Sequence, residues 1–160
     1  LTGWRERLLR FRRAFEVDVE GFVCWRPNAS GTRPSARVTA AVEQSKGETP
    51  NAQLIAMSKA YLGFAVDNTH LWRALFDLDM SVESAVPDWY MQALGQLFAH
   101  IEVPLVQLFP DLPADELDLM VRALFSSVHG IVLLGLQNRI SAVPSDQIEM
   151  MIGQLLSQIG

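Results

Sequence analysis

ALFSSVHGIVLLGL, residues 123–136, is the stretch on which the fold turns. It lies in an uncharged run of 16 residues, 123–138, between Arg122 and Arg139. A membrane-spanning helix needs ~20 apolar residues, and this run also carries Ser126, Ser127, His129, Gln137 and Asn138. The expectation is therefore a buried helix of a soluble protein. Followed upstream, Leu117, Met120, Val121, Leu124, Phe125, Val128, Ile131, Val132, Gly135 and Leu136 recur every three or four residues, the period of one helix face. Pro113 suits a helix start, and Asp115, Glu116 and Asp118 suit the positive end of a helix dipole. The prediction is one helix over 113–138.

The same period extends outward in both directions. Pro87-Asp88 opens a long helix carrying Tyr90, Leu94, Leu97, Phe98, Ile101, Leu105 and Leu108, which stops at Phe109-Pro110. Pro104 falls inside it and is expected to kink it, because proline removes one helical hydrogen bond. Further upstream, Thr49-Pro50 reads as an N-cap and first turn. Leu54, Tyr61, Leu62, Ala65 and Val66 then continue a helix to Asp67-Asn68. Thr69 is expected to cap a short helix from His70 to Leu78, and residues 79–86 read as a loop. Downstream, Pro144 is expected to open a last helix, 144–158, with Ile148, Met151, Ile152, Leu155 and Leu156 along it. No strand pattern competes over 48–160, so the predicted class is all-α, a multi-helix bundle around one core.

Residues 1–47 form a separate, atypical segment. Trp4 to Phe22 has some helical spacing, RPNASGTRPS (26–35) is made of turn formers, and 36–46 is predicted as a short helix. This segment holds nine Lys/Arg against five Asp/Glu, whereas 48–160 holds four against thirteen. An acidic main body is a poor nucleic-acid binder, since phosphate contact needs a basic face. The single cysteine, Cys24, has no partner for an internal disulfide, which fits a reducing cytoplasm. The arginine-dense LTGWRERLLRFRR (1–13) has no apolar stretch of the secretory kind behind it.

Catalytic and metal patterns are missing. His70, His100 and His129 fall on three different predicted helices, with no HExxH, no CxxC and no Glu-x-x-His pair. GxGxxG, GxxxxGK[ST] and GxSxG do not occur. The acids Asp111, Asp115, Glu116 and Asp118 are explained as helix-start residues. No catalytic residue, metal or cofactor is expected, and the chain is read as a non-enzyme. What remains is aromatic: side chains spread over four adjacent helices, mostly core, with room for an apolar ligand between helices.

Three stretches together carry a resemblance: AYLGFAVDNTHLWRALFDLDM (60–80), VPDWYMQALGQLFAHIEVPL (86–105) and ALFSSVHGIVLLGL (123–136). Their order and spacing resemble the C-terminal regulatory half of TetR-family transcriptional regulators, in the branch with a Trp/His-Gly signature. His129-Gly130 matches the His-Gly part, while Phe125 or Ser126 stands where a tryptophan is often found. NTHLWRALF resembles the family's Asn-Pro-x-Leu-Trp/Tyr-x-x-x-Phe segment, with Thr69 in place of the proline. The resemblance covers about 48–160. It implies a homodimer that binds a small apolar effector, and, with the lone cysteine and the short apolar run read above, a cytoplasmic protein with no membrane partner is expected. Its last two helices would form a four-helix interface with their copies.

On that reading Met57, Tyr61, Phe64, Trp72, Phe76, Tyr90, Leu94 and Phe98 are expected to line the pocket, with His129 as a polar contact. Leu124, Val128, Gly130, Ile131, Gly135, Ile148, Ile152, Leu155 and Leu156 are expected at the dimer interface. His129 then needs a hydrogen-bond partner, with Ser126 one turn earlier or a group across the pocket as the candidates. Family members also carry a three-helix DNA-binding segment. Nothing in 1–47 reads as a helix-turn-helix with a central turn glycine, so operator DNA is expected as a partner only where such a part is present. The alternative reading is a ligand-free helical dimerisation module derived from a regulator.

Overall fold

The computed structural model describes residues 15–17, 23–25, 34–76, 88–137, 144 and 146–160. Its helices, in chain order, are α1 (Pro34–Gln44), α2 (Pro50–Asp67), α3 (Thr69–Phe76), α4 (Asp88–Leu108), α5 (Ala114–Leu136) and α6 (Ile148–Ser157). The fold is all-α, as expected, apart from one short ribbon near the N-terminus. There β1 (Phe15–Val17) pairs antiparallel with β2 (Val23–Trp25), with Glu16 opposite Cys24. Helical spacing over Trp4–Phe22 is corrected at this point. Phe15 and Val17, and Val23 and Trp25, are aromatic or β-branched residues on alternate positions, a strand pattern that outweighs the looser helical one.

Packing is organised around α2, which touches every other helix of the described residues. Its apolar residues therefore point all round rather than along one stripe, as a central helix requires. Leu54, Met57, Phe64 and Ala65 are buried on it. The start of α2 is set as the sequence predicts: Thr49 Oγ1 accepts the backbone N–H of Ala52 at 3.3 Å, and Pro50 fills the first turn. Gly47 makes the preceding corner with φ +90°, a conformation that disfavours any side chain.

At the other end of α2 the expectation for Thr69 is corrected. Its hydroxyl donates backwards to the Ala65 and Val66 carbonyls (3.0 and 3.1 Å), and Asn68 Nδ2 donates to Phe64 O at 3.1 Å. These two side chains close the free carbonyls of α2 rather than cap α3. The chain turns at once into α3, where Trp72 N–H meets Asn68 O at 2.8 Å.

α5 is a 23-residue helix, ~35 Å long. Leu117, Val121, Leu124, Val128, Val132 and Gly135 are its buried stripe. Among the described residues it is the one helix long and apolar enough to cross a membrane, and its buried stripe packs into the hydrophobic core of the bundle. α6 begins at Ile148, later than the predicted 144. Pro144 starts a turn instead, accepting Gln147 N–H at 2.9 Å, before Gln147 O takes Met151 N–H. Ile148, Ile152 and Leu156 are then buried between α2 and α5. Asn51, in the first turn of α2, ties the far end of α6: its Nδ2 donates to Leu156 O (2.9 Å) and Ile159 O (2.7 Å). Pro104 lies inside α4 and is fully buried, one residue before the equally buried Leu105. The predicted loop 79–86 and the arginine-rich stretch 5–13 lie outside the described residues.

Candidate functional site

Four helices meet around a small cavity of about 40 Å³, which widens to about 410 Å³ when the space open to solvent is counted. Helix α1 supplies Val38, and α2 supplies Leu54, Met57, Ser58 and Tyr61. From α4 come Leu97 and Ile101, and from α5 Leu124, Phe125 and Val128. Among the described residues no lining side chain carries a charge at neutral pH.

Behind one wall of this cavity is a connected aromatic cluster. Trp72 Nε1 donates to the Tyr61 hydroxyl oxygen at 2.8 Å, and that hydroxyl lies 2.8 Å from His129 Nδ1. An indole N–H can only donate, so Tyr61 accepts from Trp72, and its own O–H is left to donate, with Nδ1 of a neutral His129 as an acceptor within reach. Burial pushes the His129 pKa below its ordinary value, which favours that neutral form. One hydroxyl joins α2, α3 and α5. Rings complete the cluster: Trp72 lies 5.1 Å from the His129 ring, Phe125 stacks on His129 at 5.7 Å, and Phe98 meets Phe125 edge-on at 5.5 Å. Arg122, hydrogen-bonded to Asp118 at 2.8 Å, sits 5.4 Å over the outer side of Phe98.

Of the residues expected at a pocket, Met57 and Tyr61 line this cavity. His129 and Trp72 stand behind it as partners of Tyr61, and Phe98 stands behind Phe125. Phe64 is buried in the core and Leu94 is half-buried on α4. The side chains of Phe76 and Tyr90 lie outside the described residues. Val38, Leu54, Ser58, Leu97, Ile101, Leu124, Phe125 and Val128 are lining residues that sequence reasoning did not assign to a pocket. Of the two candidate partners for His129, the group across the cluster is the one found, on Tyr61; Ser126 is exposed.

The residues expected at a dimer interface divide. Leu124, Val128, Gly135, Ile148, Ile152 and Leu156 are buried within the single chain. Gly130 and Ile131 are half-buried, and Leu155 is exposed. A Cβ built on Gly130 would meet nothing within 4 Å. The outward side of α5 instead presents Leu119, Ala123, Ser126, Gly130 and Leu134, again at helical spacing. The outward side of α6 presents Met150, Met151 and Leu155. Leu119 is 65% exposed and Met150 63%, high values for large apolar side chains. Among the described residues no group of three or more His, Cys, Asp or Glu could hold a metal ion.

A family model described as the tetracyclin repressor-like C-terminal domain matches residues 54–158, well over half of the chain. The chain belongs to the TetR family. No curated protein matches it. The matched span runs from the first turns of α2 to the end of α6, so it contains three of the four cavity walls, the Trp72–Tyr61–His129 relay and both outward stripes. Only Val38, on α1, lies outside the TetR-type match. TetR-type C-terminal domains are in general not enzymes.

Proposed function

We propose that the domain is the effector-binding and self-pairing half of a TetR-type transcriptional regulator working in the cytoplasm. The observation that carries this reading is the cavity between α1, α2, α4 and α5, lined mostly by apolar side chains among the described residues and reached by Val38 of α1. A small apolar molecule seated there touches α1 directly. Its binding favours one position of α1 over another, which is the differential contact that a ligand-driven population shift requires. Contact with operator DNA belongs to a helix-turn-helix part. The acidic region from residue 48 onward is assigned none of it.

Pairing is assigned to the outward faces of α5 and α6. Leu119, Leu134, Met150, Met151 and Leu155 supply apolar area, and Ala123, Ser126 and Gly130 let a second helix come close. Gly130 costs about 1 kcal/mol of helix propensity relative to Ala. Among the described residues nothing lies where its side chain would be. Approach of a partner helix accounts for the missing side chain.

The test is thermal melting of the full chain against a panel of uncharged aromatic and aliphatic compounds, with Val128→Trp as the blocked variant. Val128 is 6% exposed on the cavity wall, so a larger ring there fills the space. The expected result is a ligand-dependent rise in Tm that the variant loses while keeping its helical circular dichroism. A panel with no active member, or an undiminished rise in the variant, overturns the cavity reading.

A further inference from the structure

Helix α3 depends on its neighbours. It has eight residues, Thr69–Phe76, and an isolated helix shorter than about 12–15 residues is marginal in water. The side chains at its start, Asn68 and Thr69, serve the carbonyls of α2, so they leave its own first turn without a cap. Docking also strands a donor: among the described residues Arg73 Nε is buried with no hydrogen-bond partner, which works against the docked position. Among the described side chains of α3, Trp72 is the one that is buried, fully enclosed and bonded through Nε1 to the Tyr61 hydroxyl. The indole is the anchor.

That anchor is linked to a group that titrates. Nδ1 of a neutral His129 is the acceptor within reach of the Tyr61 O–H, at 2.8 Å, which leaves the oxygen's lone pairs to Trp72. A protonated imidazole carries hydrogen on both nitrogens. Two donors, Trp72 Nε1 and His129 Nδ1, then converge on one oxygen, and the Tyr61 hydrogen loses that acceptor. Burial of His129 already disfavours its charged form, so opening the cluster to water relieves both penalties. From α2 the titratable group facing His129 is Tyr61; from α3 it is met by Trp72, with Arg73 next in sequence. On α5 the nearest charges along the helix, Arg122 and Asp118, lie two to three turns away and are paired with each other at 2.8 Å. From α4, Phe98 approaches across the Phe125 ring. Helices α2 and α5 each bury several side chains, so α3 is the element that yields.

We propose that Trp72, Tyr61 and His129 form an acid-released latch: a proton taken from solvent by His129 breaks the Tyr61 bond and frees α3 from α2 and α5 while the rest of the bundle stays folded. The device needs no occupant in the cavity. Its sign follows from linkage. The released state takes the proton more readily, so docking is complete at neutral pH and weakens as pH falls through about 6.5, the ordinary imidazole value, and below.

Nuclear magnetic resonance of the full chain between about pH 7.5 and pH 5, the range over which an imidazole titrates, tests the latch. The Trp72 indole N–H and the His129 ring protons are expected to shift with one shared midpoint. Amide exchange in residues 69–76, corrected for the intrinsic effect of pH, is expected to quicken by about threefold to tenfold, the worth of one hydrogen bond. The buried stripe of α5 keeps its protection. In His129→Gln, uncharged throughout, exchange in α3 stays constant. A His129 midpoint that Trp72 does not share overturns the proposal. So does α3 exchange that ignores pH, α5 opening together with α3, or an undiminished acid response in His129→Gln. Should that variant fail to fold, the first three results are read in the unaltered chain and decide the matter alone.

Discussion

At the level of single residues, Tyr61 does two jobs with one side chain. Its hydroxyl is the acceptor for Trp72 Nε1 and the neighbour of His129 Nδ1, while its ring walls the cavity. Tyr61→Phe keeps the ring and deletes the acceptor. The expected cost is about 1–3 kcal/mol, the penalty of stranding a buried donor, measured by urea denaturation. His129 gives a pH prediction with a definite sign. Its pKa is lowered in the folded chain by burial, so below the ordinary value of about 6.5 the unfolded chain binds more protons than the folded one. Stability is thus fully present above that value and declines as pH falls through it and on through the lower folded pKa. His129→Gln should flatten this part of the curve, so that the Tm difference between the two proteins changes from about pH 7 to pH 5. A constant difference would show that His129 stays uncoupled. Asn51 is the other residue with disproportionate reach, holding two carbonyls at the end of α6. Asn51→Leu is expected to lose about 1–3 kcal/mol, with hydrogen exchange rising first in residues 155–160.

At the level of elements, the two sides of α5 and α6 make opposite predictions. Ile152 is fully buried against α2, so Ile152→Ala should lower stability by about 2–5 kcal/mol at any protein concentration. Leu134 and Met151 face outward. A double Leu134→Glu, Met151→Glu variant should leave a folded monomer whose Tm no longer depends on concentration, with light scattering reporting one chain rather than two. The sequence distinguishes these sides poorly. A stripe at every third or fourth position announces that a face is covered, but not whether the cover is the chain's own core or a second copy. That is why Leu124, Val128 and Ile152 were legible as buried yet were expected on a dimer face. Element ends were read best where side-chain chemistry punctuates the chain: Thr49-Pro50, Asp67-Asn68, Pro110 and Pro113 all mark true boundaries. Pro144 misled, because proline is equally at home in a turn ahead of a helix, and Thr69 misled because a hydroxyl can serve the helix behind it as well as the one ahead.

At the level of the whole molecule, the cavity was only partly legible. Met57 and Tyr61 were expected there from the resemblance to the family's regulatory half. Val38, Ser58 and Ile101 could not be, since a cavity arises where helices diverge, and divergence depends on how α1, α4 and α5 cross α2 rather than on any one helix's pattern. The family's regulatory fold, by contrast, was readable from the order of three ordinary segments, none of which is decisive alone. The bundle is closed between distant parts of the chain: the start of α2 holds the end of α6, and Arg37 of α1 pairs with Asp67 at the end of α2 at 2.6 Å. Both ion-pair partners are substantially exposed, so Arg37→Ala should change stability by less than about 1 kcal/mol. If the N-terminal helix moves with ligand, the same variant should instead alter the size of the ligand-induced Tm shift.

The wall that Tyr61 shares between the cavity and Trp72 has a practical corollary. An indole whose N–H is held by a phenol, packed against an imidazole, emits according to the polarity and motion of that small group. A molecule pressing on the far side of the same phenol disturbs it without ever touching the tryptophan. With Trp4, Trp25 and Trp89 replaced by Phe, the protein would announce what occupies it by the colour and brightness of its own fluorescence, a dye-free readout for screening compounds.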